Sequence, residues 1–203
     1  MNINQYINSL HGKSPSVLAE IEQNNVTGKI IYPTLGAEAG RFLYCYILAH
    51  KPKQILELGT GCGYATIYMA LAAKTYGGKI ISIENNSNVL AVAKKNVSKA
   101  KCEDNVTLCL ANAEQYVQTC ELKFDLILQD TYPQLYSKML SNCINILNKG
   151  KALITHDALV EILNAPPQLA NDMSEFNTLL TKQQNLSSAL LPMNDGLWLS
   201  IKK

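Results

Sequence analysis

Short apolar runs alternate with longer amphipathic stretches through the middle of the chain. The runs at residues 54–58, 79–83, 105–110, 124–129 and 151–155 predict strands. The run at 124–129 is almost continuously apolar, which is typical of a strand buried on both faces of a parallel sheet. The stretches at 64–74, 87–100, 113–120 and 135–147 predict helices. In the second of these helices, Val89, Val92, Ala93 and Val97 recur with the helical period and would form the buried side.

Strands that alternate with helices at this spacing predict an α/β fold with a doubly wound, Rossmann-like, mostly parallel sheet. Residues 186–191 and 197–202 predict two closing strands, and the Asp195-Gly196 pair between them suits a hairpin turn. We therefore expect seven strands with an antiparallel C-terminal hairpin. Residues 14–24 and 34–50 predict helices before the first strand. Residues 148–150 should end the helix at 135–147. The loop with Pro166-Pro167 should precede a helix at about 172–183.

The overall composition excludes several classes of protein. A net charge of +2 is too small to indicate nucleic-acid or membrane binding. No apolar run reaches the ~18 residues that a membrane span needs, and the first residues do not resemble a secretory signal, so we expect a cytoplasmic protein. None of the six cysteines forms a CxxC pair, so they are expected to be reduced, several of them as small apolar core residues.

A glycine-rich turn, Gly59-Thr60-Gly61-Cys62-Gly63, follows the first predicted strand, and Glu84 ends the second. Such a turn lets a ligand approach bare backbone and directs the amides of the next helix towards it. The carboxylate of Glu84 could accept both hydroxyls of a ribose. Because the glycine spacing departs from G-x-G-x-x-G, a dehydrogenase is disfavoured, although these residues alone do not identify the nucleoside cofactor.

The segments ILELGTGCGYAT, ISIEN and FDLILQDTYP and the tail LLPMNDGLWLSIKK occur in this order. Together they resemble the cation-dependent O-methyltransferases, the class that contains catechol and caffeoyl-CoA O-methyltransferases and small bacterial relatives. The resemblance extends from about residue 33 to the C-terminus. It implies S-adenosylmethionine (SAM) as cofactor and a small phenolic or catechol-like molecule as acceptor. Residues 1–203 would form a single methyltransferase domain, in which the N-terminal helices (1–50) contribute to the acceptor pocket.

The resemblance also implies which residues form the site. The methionine part of SAM would contact Glu57, Gly59, Gly61 and Tyr64, and its ribose would contact Glu84. The adenine would be bordered by Asn112 and Ala113 and approached by Tyr132, although a tyrosine before a proline could equally cap the core. Asp130 would lie beside the sulfonium. The family's divalent cation, Mg or Mn in type, would be held by Asp130, His156 and Asp157.

Two positions depart from the family pattern. His156 stands where the first Asp of an Asp-Asn pair is expected, and Asp157 stands where the Asn is expected. Two carboxylates and an imidazole suit Mn, Fe or Zn better than Mg, although a His-Asp pair without any cation is the alternative. Pro133 replaces the lysine that often serves as general base. We therefore expect His156 and Asp130 to carry catalysis, with His156 as base, unless a cation lowers the acceptor pKa enough that no base is needed.

Two other functions stay open at this point. Lys94, Lys95, Lys99 and Lys101 could form a basic face for tRNA, which would make the acceptor a base hydroxyl, but such runs are usually the solvated side of a helix. The loss of the lysine at Pro133 would also suit a SAM-binding protein that no longer catalyses. Assembly into a homodimer is left open as well.

Overall fold

The computed structural model describes residues 6, 7, 10, 15–28, 33–163 and 165–203. Seven strands form one sheet in the order β3-β2-β1-β4-β5-β7-β6. Strands β1 to β5 are parallel to one another, whereas β7 runs antiparallel to both β5 and β6. The strands are β1 (Gln54–Leu58), β2 (Lys79–Glu84), β3 (Val106–Leu110), β4 (Phe124–Gln129), β5 (Leu147–Thr155), β6 (Leu186–Leu191) and β7 (Leu197–Lys202). The predicted fold class and the C-terminal hairpin are confirmed.

The helices within the described residues lie where the periodicity placed them, with two shifted boundaries. They are α1 (Ser16–Val26), α2 (Gly36–His50), α3 (Tyr64–Ala73), α4 (Ser87–Lys99), α5 (Ala113–Thr119), α6 (Tyr136–Ile146) and α7 (Pro167–Thr181). Helix α7 begins at Pro167 and not near residue 172. Proline is tolerated at the first position of a helix because the backbone amide at that position makes no hydrogen bond within the helix. Residues 148–150 were expected to end a helix but belong to β5, whose pairing with β4 shifts register there.

Alternate residues of the central strands enter two separate cores. Ile55 and Leu126 pack into the core on one face of the sheet, together with α2 and α3. Leu56 and Ile127 pack into the core on the other face, together with α6 and α7. This alternation follows from the two-residue period of a strand, and it explains why these strands are apolar throughout.

The cysteines and the C-terminal strand behave as expected. All six cysteines are free, and Cys62, Cys102 and Cys143 are buried. In β7, Leu197 and Leu199 face the first core and Trp198 faces the second. No helix in the described part of the chain is both long and apolar enough to span a membrane.

The sheet brings the candidate residues to one edge. Strand register aligns Leu58 with Ile83 on one side and with Gln129 on the other, and Gln129 with Thr155. The glycine turn, Glu84, Asp130 and His156 therefore all lie at the carboxyl ends of adjacent strands, where ligands bind in doubly wound folds.

Candidate active site

The glycine turn between β1 and α3 needs its glycines for steric reasons. Gly59, Gly61 and Gly63 all have positive φ, at 99°, 52° and 85°. A Cβ atom added to Gly59 would lie 2.1 Å from the carbonyl oxygen of Asp130, so the turn can pass the end of β4 only without a side chain. The turn therefore presents its backbone to the space above the sheet edge.

Glu84 is fixed by the turn that it faces. One carboxylate oxygen accepts a hydrogen bond from the backbone amide of Gly61 at 3.0 Å, and the other accepts one from the backbone amide of Asn86 at 3.0 Å. Each oxygen keeps a free lone pair for a further hydrogen bond. This arrangement suits the predicted interaction with two neighbouring hydroxyls.

Glu57 occupies a different position from the one that the sequence suggested. Its side chain is fully buried and is not among the described residues that line the cavity. The hydroxyls of Thr66 and Ser82 donate to the same carboxylate oxygen, and the hydroxyl of Thr60 lies 2.6 Å from that of Ser82. Burial raises the pKa of Glu57 to about 8, against the lowering effect of these hydrogen bonds. Glu57 is thus connected to Thr60 of the glycine turn through Ser82, and it does not line the cavity as the described residues define it.

Asp130, His156 and Asp157 form a compact cluster at the ends of β4 and β5. Their potential ligand atoms all lie within 4.8 Å of one another. The Nδ1 atom of His156 lies 2.9 Å from an oxygen of Asp130 and 3.2 Å from an oxygen of Asp157. Two carboxylates and one imidazole nitrogen that converge in this way are a chemically suitable donor set for a divalent cation. The three residues expected to form a metal site are therefore brought together.

The electrostatics of the cluster oppose a base role for His156 near neutral pH. Burial lowers the pKa of His156, but the charge and hydrogen bond of Asp130 and the charges of Asp157 and Asp195 outweigh burial and raise that pKa to about 9. The ring would hold its proton at neutral pH unless a cation replaced that proton. Burial also raises the pKa of Asp157, although the nearby imidazolium counteracts this effect. These charges therefore favour the protonated form of the His156 ring in the cation-free protein.

A cavity of about 520 Å³ lies directly above these groups, within the usual size range of small-molecule sites. It is lined by all of the predicted site residues except Glu57: Gly59, Gly61, Tyr64, Glu84, Asn112, Ala113, Asp130, Tyr132, His156 and Asp157. Tyr132 is 66% exposed, which excludes the alternative that it caps the core. Asn112 caps α5 by accepting the amide of Gln115.

Sequence reasoning missed some of the residues that line the cavity. Asp195 lines it from the β6–β7 hairpin, yet the sequence had suggested only a turn residue there. Thr34 and Leu35 also line it and belong to the N-terminal segment that was expected to contribute to the acceptor pocket, whereas Leu169 of α7 was not singled out. None of the lining residues within the described part of the chain is Lys or Arg, in keeping with Pro133 at the position where the family often has lysine. The sequence signal that could have identified Asp195 is its place in the DGL segment of the tail, one of the segments that carry the family resemblance.

The lysines near α4 lie away from this cavity. Lys94, Lys95, Lys99 and Lys101 are all exposed, and Lys99 pairs with Glu20 of α1 at 2.9 Å. This arrangement is that of a solvated helix face.

Comparison with known proteins identifies the family of the chain. The model of a family described as O-methyltransferase matches residues 8–203. The chain belongs to the O-methyltransferase family. The expected enzyme class is thereby confirmed. A catechol O-methyltransferase from Niastella koreensis is 25% identical over 215 residues, which cover 100% of this chain and 97% of the relative.

Other relatives match over less of their length or in structure alone. Catechol O-methyltransferase B from Danio rerio is 28% identical over 62% of this chain, which spans only 50% of that relative. An SAH-bound methyltransferase from Podospora anserina superposes with a TM-score of 0.86 at 20% identity, covering 99% of this chain and 94% of the other. The O-methyltransferase TomG from Streptomyces achromogenes, in complex with SAM, superposes with a TM-score of 0.84 at 18% identity. The superposition covers 99% of this chain and 96% of TomG. At this identity, these two structures support the fold.

Proposed function

We propose that this O-methyltransferase transfers the methyl group of SAM to a hydroxyl oxygen of a small phenolic or catechol-like acceptor, with help from a divalent cation. The observation that carries the proposal is that one cavity contains both the glycine turn with Glu84 and the cluster of Asp130, His156 and Asp157. The first group suits a nucleoside and the second suits a cation. The SAM and SAH complexes of structural neighbours and the catechol O-methyltransferase relative point the same way.

Different residues of the cavity would contact different parts of SAM. The carboxylate of Glu84 would accept the ribose hydroxyls, and the backbone of Gly59 and Gly61 would lie against the methionine part. Asn112 and Tyr132 line the cavity where the adenine would lie. In the reaction, a bond forms between the acceptor oxygen and the methyl carbon while the sulfur–methyl bond breaks. The sulfonium would become a neutral thioether, and the hydroxyl proton of the acceptor would pass to solvent water.

The cation would be held by Asp130, Asp157 and the Nδ1 atom of His156. When bound, it would lower the pKa of an acceptor hydroxyl, so that no lysine base is required. The carboxylates would also orient the acceptor oxygen, and orientation alone can supply up to ~7–11 kcal/mol of a barrier.

The acceptor would bind beside the cation against apolar walls. Leu35, Pro133, Leu135 and Leu169 line this cavity and would contact an aromatic ring. Leu35 lies just before α2 and Leu169 lies in α7, so we propose that residues from both ends of one methyltransferase domain shape the acceptor pocket.

The proposal is tested by a screen of hydroxylated aromatic acceptors with labelled SAM, with Mg²⁺, Mn²⁺ or EDTA. We expect catechol-like compounds to be methylated only when a cation is present. Asp157→Ala should reduce the cation-stimulated rate and leave SAM affinity unchanged, whereas Glu121→Ala, at an exposed position between α5 and β4, is the control. SAM binding without turnover on any acceptor would instead identify a binding protein. Methylation of tRNA, with binding that weakens as salt increases, would identify the nucleic-acid alternative.

A further inference from the structure

Asp157 has a backbone conformation that is unusual for a residue with a side chain. Its φ is +64°, in the left-handed region that most residues with a Cβ atom avoid and that Asp and Asn adopt more readily than others. Such a conformation persists where the surrounding structure enforces it, and it often occurs at functional sites. Asp157 lines the cavity and belongs to the proposed cation cluster, so what holds its backbone also determines where its carboxylate points.

The backbone that follows Asp157 is held by the tip of the β6–β7 hairpin, Asn194-Asp195-Gly196. The amide of Leu159 donates to the carbonyl of Asp195 at 2.7 Å, and the amide of Ala158 donates to the carbonyl of Gly196 at 3.2 Å. A Cβ atom added to Gly196 would lie 2.8 Å from the nitrogen of Leu159 and 2.6 Å from its Cγ, so glycine is required for this approach. The φ of Gly196, +88°, imposes the same requirement.

The same hairpin tip contacts a second wall of the cavity. The side-chain amide of Asn194 donates to the carbonyl of Leu35 at 2.6 Å, and Leu35 lines the cavity just before α2. The approach is close, because a Cβ atom added to Gly36 would lie 2.0 Å from Nδ2 of Asn194. Asn194 itself has a φ of +47°, a conformation that asparagine adopts more readily than most residues.

We propose that the hairpin tip is a positioning element that holds Asp157 in its left-handed conformation and couples it to the acceptor wall at Leu35. Asn194 and Gly196 are then positioning residues, because within the described structure Asp195 lines the cavity and these two do not. The assignment of the two walls to cation and acceptor rests on the proposed function. The coupling itself rests on the hydrogen bonds and on the close approaches.

Two variants separate the contacts. Asn194→Asp keeps the size of the side chain and its tolerance of positive φ, but loses the donor to Leu35. Gly196→Ala forces the tip away from Leu159. The matched control is Asn105→Asp, which loses an equivalent buried bond from a side-chain amide to the carbonyl of Ala70, outside the described cavity lining. Each protein is compared for SAM affinity, Mn²⁺ affinity, acceptor KM and amide hydrogen exchange at Ala158 and Leu159.

Both hairpin variants should keep SAM affinity within about twofold of wild type. Asn194→Asp should raise the acceptor KM at least about fivefold and should also speed exchange at Leu159, which Asn194 does not touch. Gly196→Ala should speed exchange at Ala158 and Leu159 and weaken Mn²⁺ about tenfold or more. The control should lower the melting temperature without either effect, and Asn194→Gly should behave as Asn194→Asp does because it also lacks the donor.

Unchanged exchange at Leu159 in Asn194→Asp would overturn the coupling, whatever the enzyme does with acceptors. Wild-type Mn²⁺ affinity in Gly196→Ala, together with faster exchange, would overturn the positioning of Asp157. If wild type itself binds no cation and methylates no acceptor, the proposed function fails, and the exchange measurements still decide whether the tip holds Asp157. If Gly196→Ala does not fold, Asn194→Asp and Asn194→Gly test the coupling.

Discussion

The Nδ1 atom of His156 lies 2.9 Å from an oxygen of Asp130, so one ring nitrogen faces the carboxylate that ends the neighbouring strand. The other ring nitrogen, Nε2, is buried and has no hydrogen-bond partner among the residues that the structure describes. A proton or a cation is needed between Nδ1 and the carboxylate, because two acceptors at this distance repel each other. Protons and cations should therefore compete for this position.

The first prediction concerns the pH dependence of the stability of the cation-free protein. Burial opposes the charge on His156, but Asp130 and the neighbouring carboxylates raise the pKa of the folded state to about 9 from 6.5. The folded state then binds the proton more tightly, so this stabilisation is complete below pH 6.5 and is lost as the pH rises through 9. Denaturation in EDTA from pH 6 to pH 10 should show this loss, and His156→Gln should flatten the curve. Equal slopes for the two proteins would contradict the assignment.

The second prediction separates a ligand role for His156 from a base role. An asparagine side chain places its amide oxygen close to the position of Nδ1, and this oxygen can bind a cation but cannot accept a proton near neutral pH. His156→Asn should therefore keep cation binding within about tenfold and retain cation-dependent turnover, whereas His156→Ala should lose both. Retained Mn²⁺ binding in His156→Asn with complete loss of turnover would restore the base role.

The third prediction concerns the buried carboxyl of Glu57. Burial raises its pKa to about 8 from 4.5, so folding favours the neutral acid. Its stabilising effect is complete below pH 4.5 and decreases as the pH rises towards 8, by up to ~1.4 kcal/mol per pH unit. Glu57→Gln stays neutral, so its stability relative to wild type should increase over this range, as measured by urea denaturation. SAM affinity should stay within about threefold, because Glu57 does not line the cavity. A tenfold loss of SAM affinity would show a direct contact.

The fourth prediction concerns Glu84. Glu84→Ala should weaken SAM binding by ~1.5–3 kcal/mol, the usual range for hydrogen bonds to a charged group. It also releases the amides of Gly61 and Asn86, so Glu84→Gln is needed as a second variant that retains one acceptor. We expect Glu84→Gln to bind with intermediate affinity in isothermal titration. If both variants bind SAM as wild type does, the ribose lies elsewhere.

The elements that could be predicted from the sequence are those set by local patterns. The run at 124–129 matches β4 to the residue, because buried strands of a parallel sheet are apolar on both faces. The start of β5 could not be predicted, because Asn148 and Gly150 resemble a turn and join the strand only through an irregular pairing with β4. Tertiary pairing determined this boundary.

The site residues also differ in whether local sequence patterns could predict their positions. Glu84 ends β2 and Asp130 follows β4, so their place at the sheet edge follows from topology. Glu57 lies within a strand, and side chains alternate between faces, so only the packed structure shows that its carboxyl is enclosed by Thr66 and Ser82. Asp195 reaches the cavity because the hairpin tip bonds to Leu159, a contact between distant parts of the chain that no local pattern encodes.

The last prediction concerns Trp198 in β7. Its ring packs in the second core, and its indole nitrogen donates to the side-chain oxygen of Asn177 at 2.7 Å. The amide of Asn177 in turn donates to the carbonyl of Ala158 at 2.9 Å, so Trp198 connects α7 with the segment that follows Asp157.

Two variants of Trp198 distinguish packing from this hydrogen bond. Trp198→Phe keeps most of the packing and should lower the free energy of unfolding by ~1–3 kcal/mol, because the partly buried side-chain oxygen of Asn177 loses its donor. Trp198→Ala adds a cavity and should lower it by ~3–5 kcal/mol. Removal of residues 195–203 deletes the strand between β5 and β6 and should prevent a cooperative unfolding transition. Thermal and urea denaturation measure all three. Full stability of the truncated chain would mean that β7 does not pair within the sheet. Other residues than those of the hairpin would then have to hold the backbone of Asp157.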